Sequence, residues 1–336
     1  MQHALRSAAC IVAVVACAWT SAAEPFKAAT KVKVSKGAWE INGKPTFAGS
    51  TAEGLLANVR MANALFEDRN PKTCPKDFDP EKNTDAFIAK IPDYKASGII
   101  AFGLNLQGAP PGYDGALCSA FEPDGSLRPD FLKRAARAIE ACDKAGAVVI
   151  LGLFDASQDQ VLKDDEAVRK AITFAAAWVR EKGYTNVLLE IASDFIAKGY
   201  DREVIKNPTS MRDLVALAKK TAPDLLVSTS GGGGGRIDRR IATASDFLLL
   251  HFNIVLPEAI AQKAAAASKV AKAIICNEDP KTGEEGVKAL QASSDAFISW
   301  GYSNVKKNQT YPFKFEGPAD DPLVYAKFKE LATPSK

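Results

Sequence analysis

Histidine is nearly missing from this chain of 336 residues, which has only His3 and His251. There is also no Cys-x-x-Cys pair, so a zinc site built on histidine and cysteine is excluded, and neither metal nor cofactor is expected. No apolar strand-like run leads into Gly-x-Gly-x-x-Gly or a phosphate loop, which removes the usual nucleotide ligands. The longest apolar stretch, Ala8 to Trp19, is too short to span a bilayer, so no membrane span is expected. Neither sign of charge is in strong excess. Against 40 acidic residues there are 43 basic ones, and removing residues 1–23 takes away only Arg6, leaving +2. Such a balance argues against nucleic acid or a membrane surface as partner.

Residues 1–23 have the layout of a secretory signal: Arg6 and His3, the apolar stretch, then Ser21-Ala22-Ala23 before Glu24. Secretion or export to the periplasm is expected, with cleavage near Ala23. Val14-Val15-Ala16-Cys17 resembles a lipoprotein box and leaves lipidation as the lesser alternative. Of the remaining cysteines, Cys74 and Cys118 lie in polar, Pro- and Gly-rich segments and are the candidate disulfide in an oxidising compartment. Cys142 and Cys276 read as structural.

From residue 84 onward, helical segments alternate with short runs of Val, Ile and Leu. The expected pairs are helix 85–97 with strand 99–104, helix 129–145 with strand 147–153, helix 164–182 with strand 187–192, and helix 209–221 with strand 225–230. They continue with helix 236–242 and strand 246–251, helix 257–268 and strand 271–277, helix 283–295 and strand 297–300, and a closing helix over 322–331. An earlier strand at Thr46 to Gly49 makes eight. Eight strands interleaved with helices predict an α/β protein with one domain over 24–336, a (β/α)8 TIM barrel preceded by a short N-terminal β-hairpin around Lys36-Gly37. An open doubly wound sheet is the alternative. A monomer is expected.

In such a barrel the reactive groups gather at the carboxyl ends of the strands. Those ends supply Ser50 and Glu53 with Arg60 and Asn63 in the following loop, then Asn105 and Gln107, Asp155 and Gln158, Ser193 and Asp194, and Thr229 and Ser230. His251 and Asn253, Asn277 and Glu278, and Trp300 and Tyr302 complete the rim. Amides, carboxylates and aromatics are the groups that bind sugar hydroxyls and stack on a pyranose. Glu278 and Asp194 each end an apolar strand, and two such carboxylates suggest acid and nucleophile chemistry. Asp155 and Glu190 are the other acids within reach, although strand alternation would aim Glu190 differently from Ser193. The five glycines at Gly231 to Gly235 predict a mobile loop at the rim, a lid or a slack connection.

Over roughly residues 38–330 the arrangement resembles the cellulase-like clan A glycoside hydrolases. The residues that carry the likeness are Trp39 to Pro45, Ala141 to Gly152, Asn186 to Asp194, Ile274 to Glu278, and Ser299-Trp300-Gly301-Tyr302. The resemblance implies a retaining hydrolase of a polysaccharide or oligosaccharide, with Glu278 as nucleophile. It makes His251 the orienting imidazole and Trp300 a platform under the reactive sugar. Where the family ends its fourth strand in Asn-Glu, this chain has Ser193-Asp194. Asp is one methylene shorter than Glu, which draws the acid/base carboxyl back by about 1 Å. A carbohydrate-binding homologue without hydrolysis is therefore the alternative expectation.

Overall fold

The computed structural model describes residues 26–334 apart from 237 and 271. The expected export segment lies outside the described residues. The chain enters through β1 (Val32–Ser35), antiparallel to β2 (Ala38–Ile41) across the Lys36-Gly37 turn, and β2 pairs onward with β3 (Lys44–Pro45). Both turn residues have positive φ, 50° and 83°, the left-handed geometry that favours glycine. Trp39 of β2 is buried edge-on against Phe247, in an inner apolar cluster that also holds Ile100, Val148, Leu188 and Ile275. The hairpin thereby covers the amino-terminal ends of the strands that follow.

Those strands are β4 (Asn58–Arg60), β5 (Ala101–Asn105), β6 (Val148–Phe154), β7 (Val187–Ala192), β8 (Leu226–Ser228), β9 (Leu248–His251), β10 (Ile274–Glu278) and β11 (Gly301–Tyr302). Six form a parallel sheet in the order β11-β4-β5-β6-β7-β8, and β9 and β10 form a parallel pair. Single parallel bridges join Ser230 to Leu249, Ile275 to Ser299 and Asp279 to Tyr302. Nearly every strand residue is buried, as apolar runs covered on both faces require.

Helices α1 (Pro80–Ala96), α2 (Pro129–Lys144), α3 (Asp165–Lys182), α4 (Glu203–Lys206), α5 (Pro208–Thr221), α6 (Arg239–Ala244), α7 (Ile260–Ser268), α8 (Gly283–Asp295) and α9 (Pro322–Ala332) fill the connections. Their ends are set by sequence. The Asp79 carboxylate accepts from the N–H groups of Glu81 and Lys82 ahead of Pro80, and Gly183 takes the left-handed geometry past α3. Among the described residues no helix is long and apolar enough to cross a membrane.

The first strand of the parallel sheet is not the expected Thr46 to Gly49. There Phe47 and Gly49 have φ of 51° and 78°, so the chain bends, and Ser50 bridges Pro334 rather than lining a rim. The strand is β4, at the end of the apolar run Leu55-Leu56-Ala57. That shift of a dozen residues moves Arg60 from a loop to a strand tip. The last strand is likewise Gly301–Tyr302 rather than residues 297–300, α1 starts five residues early, and α6 starts three residues late.

The expected Cys74–Cys118 disulfide is not formed; both are free thiols. Cys118 is buried with its Sγ accepting from the Glu67 N–H, and the Cys74 Sγ is turned to the Pro75 carbonyl. β11 is held through Gly301, where an added Cβ would lie 2.1 Å from Asn58 Oδ1 and 2.5 Å from the Cys276 carbonyl oxygen. Gly301→Ala is expected to destabilise the fold by about 1–3 kcal/mol, read from urea unfolding midpoints at constant m-value.

Candidate functional site

Four consecutive strand tips and β4 converge on one charged centre. Arg60, ending β4, is 2% exposed, and its Nε lies 2.9 Å from Glu278 Oε2 at the end of β10. One Arg60 Nη2 donates to Ser193 Oγ at 3.1 Å, and Nη1 stands 4.0 Å from Glu190 Oε2. His251, ending β9, is fully buried. Its Nδ1 is 2.6 Å from Asp194 Oδ1 and 3.7 Å from Glu278 Oε2, while its Nε2 is 3.9 Å from Glu190 Oε1. Asp194 and Glu278 thus share one imidazole. Their side chains keep 32% and 19% exposure, so neither is sealed from solvent.

The electrostatics follow from this packing. Burial opposes ionisation of Glu278, but Arg60, His251 and the Asn253 Nδ2 donor, 2.7 Å from Oε1, hold its carboxyl below the usual range. Burial also opposes ionisation of Asp194, and His251 overcomes it, so that carboxyl is lowered too. For His251, desolvation favours the neutral ring, yet Asp194 and Glu278 raise it to about 9. Glu190 is pushed up by burial, although Ser230 Oγ donates to Oε1 and Asn277 Nδ2 to Oε2. Asp155, at the tip beyond β6, is raised by burial to about 6. Its Oδ1 accepts from the N–H and hydroxyl of Ser157, and none of its ordered contacts is an ion pair with Arg60 or His251.

The local chain sets the direction of Asp194. Asp194 has φ of +48°, its N–H donates to Ser230 Oγ, and Tyr200 donates its hydroxyl to the carbonyls of Ser193 and Phe154. The bend turns the short carboxylate onto His251. The glycine run is packed against the same centre rather than slack. Gly235 N–H donates to the His251 carbonyl and Ile254 N–H to that of Gly233, so the expected mobile loop is a tied one.

Several expected site residues belong to the framework instead. Trp300 is buried, donating from Nε1 to Asp279 and packed on Tyr302 and Phe328; it is no platform. Tyr302, also buried, donates to Asp321 and meets Tyr325 edge-on. Strand alternation sends both toward α9 and leaves Gly301 between them. Gln107 is buried, bonded to Ser119, Gln158 and the Asp155 N–H, and so fixes the β6 tip. Asn105 is buried with its amide against Gly152. Conversely, Glu190, expected to be aimed differently from Ser193, points into the centre, and Arg60 is central. Each is a lone charge inside an apolar run, a signal present in the sequence. Among the described residues no group of three or more His, Cys, Asp or Glu is arranged to hold a metal ion.

No family model and no curated relative matches the chain. Solved structures do share its fold. The endo-1,4-β-mannanase of Rhizomucor miehei superposes with a TM-score of 0.58 at 12% identity, over 90% of this chain and 98% of that one. The endo-1,4-β-mannanase of Eisenia fetida gives 0.62 at 11%, over 91% and 96%. A broad-specificity endoglucanase of Clostridium longisporum gives 0.60 at 10%, over 84% and 97%. The chain therefore shares a TIM-barrel-like fold with these proteins.

Two outcomes follow from the charge arrangement. Arg60→Met leaves buried carboxylates without their cation, and should cost about 3–5 kcal/mol at pH 7 by denaturant unfolding, with a smaller loss near pH 4 where they can protonate. His251 has a raised pKa in the folded state, so its stabilisation is complete below about 6.5 and fades as pH rises through about 9. His251→Gln should remove that alkaline fall in the unfolding free energy, and the imidazole NMR shifts of the unaltered protein should titrate near 9.

Proposed function

We propose that this chain is an exported, single-domain, closed (β/α)8 glycosidase of the clan A type, acting on a polysaccharide or oligosaccharide with Glu278 as nucleophile and Asp194 as a weakened acid/base. The observation that carries this reading is the sharing of one buried imidazole by the two partly exposed carboxylates. A retaining mechanism needs two carboxyl groups about 5 Å apart across the scissile bond. Glu278 suits the first step, since Arg60 and Asn253 keep it ionised and aimed. Its oxygen would bond to the anomeric carbon as the bond from that carbon to the leaving oxygen breaks. The leaving oxygen takes a proton from Asp194, which then takes one from the water that releases the sugar.

A cleft of about 620 Å³ among the loops that follow β4, β5 and β6 has room for a substrate longer than one sugar. Phe66, Arg69, Tyr113, Ser157 and Gln160 line it, and Ser157 is also the Asp155 partner.

One observation favours a second reading, a sugar-binding homologue without hydrolysis. The Asp194–His251 ion pair holds as a carboxylate the very group that must deliver a proton.

Activated aryl glycosides decide between the two, because a dinitrophenolate leaves without acid help. The hydrolase reading expects turnover of a 2,4-dinitrophenyl glycoside panel. Glu278→Gln should lower kcat by at least about 1000-fold while sugar binding remains, and Asp194→Asn should change kcat/KM for these substrates less than about tenfold while kcat falls further, because release of the sugar loses its base. An inert protein that still binds sugars leaves the second reading standing; full activity in Glu278→Gln removes the nucleophile assignment.

A further inference from the structure

Large aliphatic side chains are rarely left open to water, yet the loops that carry the charged centre expose three. Ile254 is 82% exposed, Leu256 63% and Ile196 40%. They are half of the six large hydrophobic side chains that stand out among the described residues. Ile254 follows Asn253, whose amide donates to Glu278, and Ile196 lies two residues beyond Asp194. The glycine loop between these segments brings them together. A Cβ added at Gly232 would lie 3.1 Å from Ile196 Cδ1, and one added at Gly234 would lie 3.7 Å from Ile254 Cδ1. Without side chains of its own, that loop leaves the aliphatic groups as the surface of the rim.

We infer that this rim receives the aliphatic aglycone of an amphiphilic glycoside, whose sugar reaches the Glu278–Asp194 centre. The inference rests on the carbohydrate reading above and narrows its substrate from a polysaccharide or oligosaccharide to a sugar or oligosaccharide that carries an apolar aglycone. A ligand that fills both parts must change from hydrogen-bonding to apolar over the few residues between Asn253 and Leu256. A glucan or mannan chain remains polar along its length and gains little from isoleucine and leucine. The aromatic side chains that would stack on such a chain from the last strand, Trp300 and Tyr302, are committed to the core. An alkyl chain needs no directional partner, and its burial against exposed aliphatic groups is favourable in proportion to the area covered.

The test compares methyl and octyl β-glucopyranosides and the matching mannopyranosides, below their micelle concentrations, by calorimetric titration of the full protein. An octyl glycoside should bind at least tenfold more tightly than its methyl counterpart. In the Ile254→Ser/Leu256→Ser double variant the ratio should fall below about threefold while the methyl affinity is unchanged. Methyl binding with no octyl gain overturns the aglycone assignment alone. A gain that survives the double variant does the same. Equal affinity for 1-octanol, or adsorption to neutral phosphatidylcholine vesicles lost in the double variant, overturns it in favour of a general apolar or membrane contact. Absence of binding by every glycoside overturns it together with the carbohydrate reading.

Discussion

The structure depends on placing three carboxylates, Glu190, Asp194 and Glu278, around two buried cations, Arg60 and His251. Neither cation could be buried alone, since desolvation of an isolated charge far exceeds what packing returns. Each is therefore shared. Arg60 crosses from the tip of β4 to β7 and β10, and His251 links β9 to β7 and β10. The contacts fix the strand tips relative to one another at the end of the fold opposite the hairpin. There the apolar filling of Val148, Leu188 and Ile275 has given way to polar groups. The apolar layer positions the strands, and the charged layer fixes how far each one reaches.

Much of this was legible in the sequence because a parallel sheet buried on both faces requires apolar runs, and those runs end where polar residues begin. Glu278 and Asp194 could be found at such ends, and their convergence follows from parallel strands of similar length. Arg60 was placed in a loop for a physical reason. Its strand is three residues long, follows a turn-rich approach, and has an apolar neighbourhood that continues past it into Met61 and Leu65. The run offered no polar boundary from which to read the strand's end. Trp300 and Tyr302 were misplaced because composition at a strand end does not tell which face a side chain takes. Parity about Gly301 decides it, and the register of so short a strand is visible only once β4 and β10 flank it.

The glycine run shows the same limit from the other side. Five glycines carry no side-chain information, so the sequence suggested slack. Their order comes instead from close approach. Gly231 sits where a Cβ would meet the Arg236 carbonyl oxygen at 2.8 Å, and Gly233 where one would meet the Asn253 amide at 2.9 Å. The residues are small because the backbone must pass near the group that orients Glu278. That need also accounts for the exposed isoleucines on either side, since glycines offer nothing to cover them.

A pair of carboxyl groups divides acid from nucleophile work when its surroundings push the two pKa values apart. Here the pair named by the strand motif is pushed the same way. His251 lowers both Asp194 and Glu278, and neither is a ready proton donor while that imidazole stays charged. The opposing shift exists in the site but falls on other residues. Glu190 is raised yet closed off by Ser230 and Asn277. Asp155 is raised to about 6 by burial, its Oδ1 held by Ser157. The short carboxyl of Asp194 settles on His251, 2.6 Å from Nδ1. His251 thereby holds Glu278 and Asp194 in the same charge state, while burial shifts Asp155 and Glu190 the opposite way.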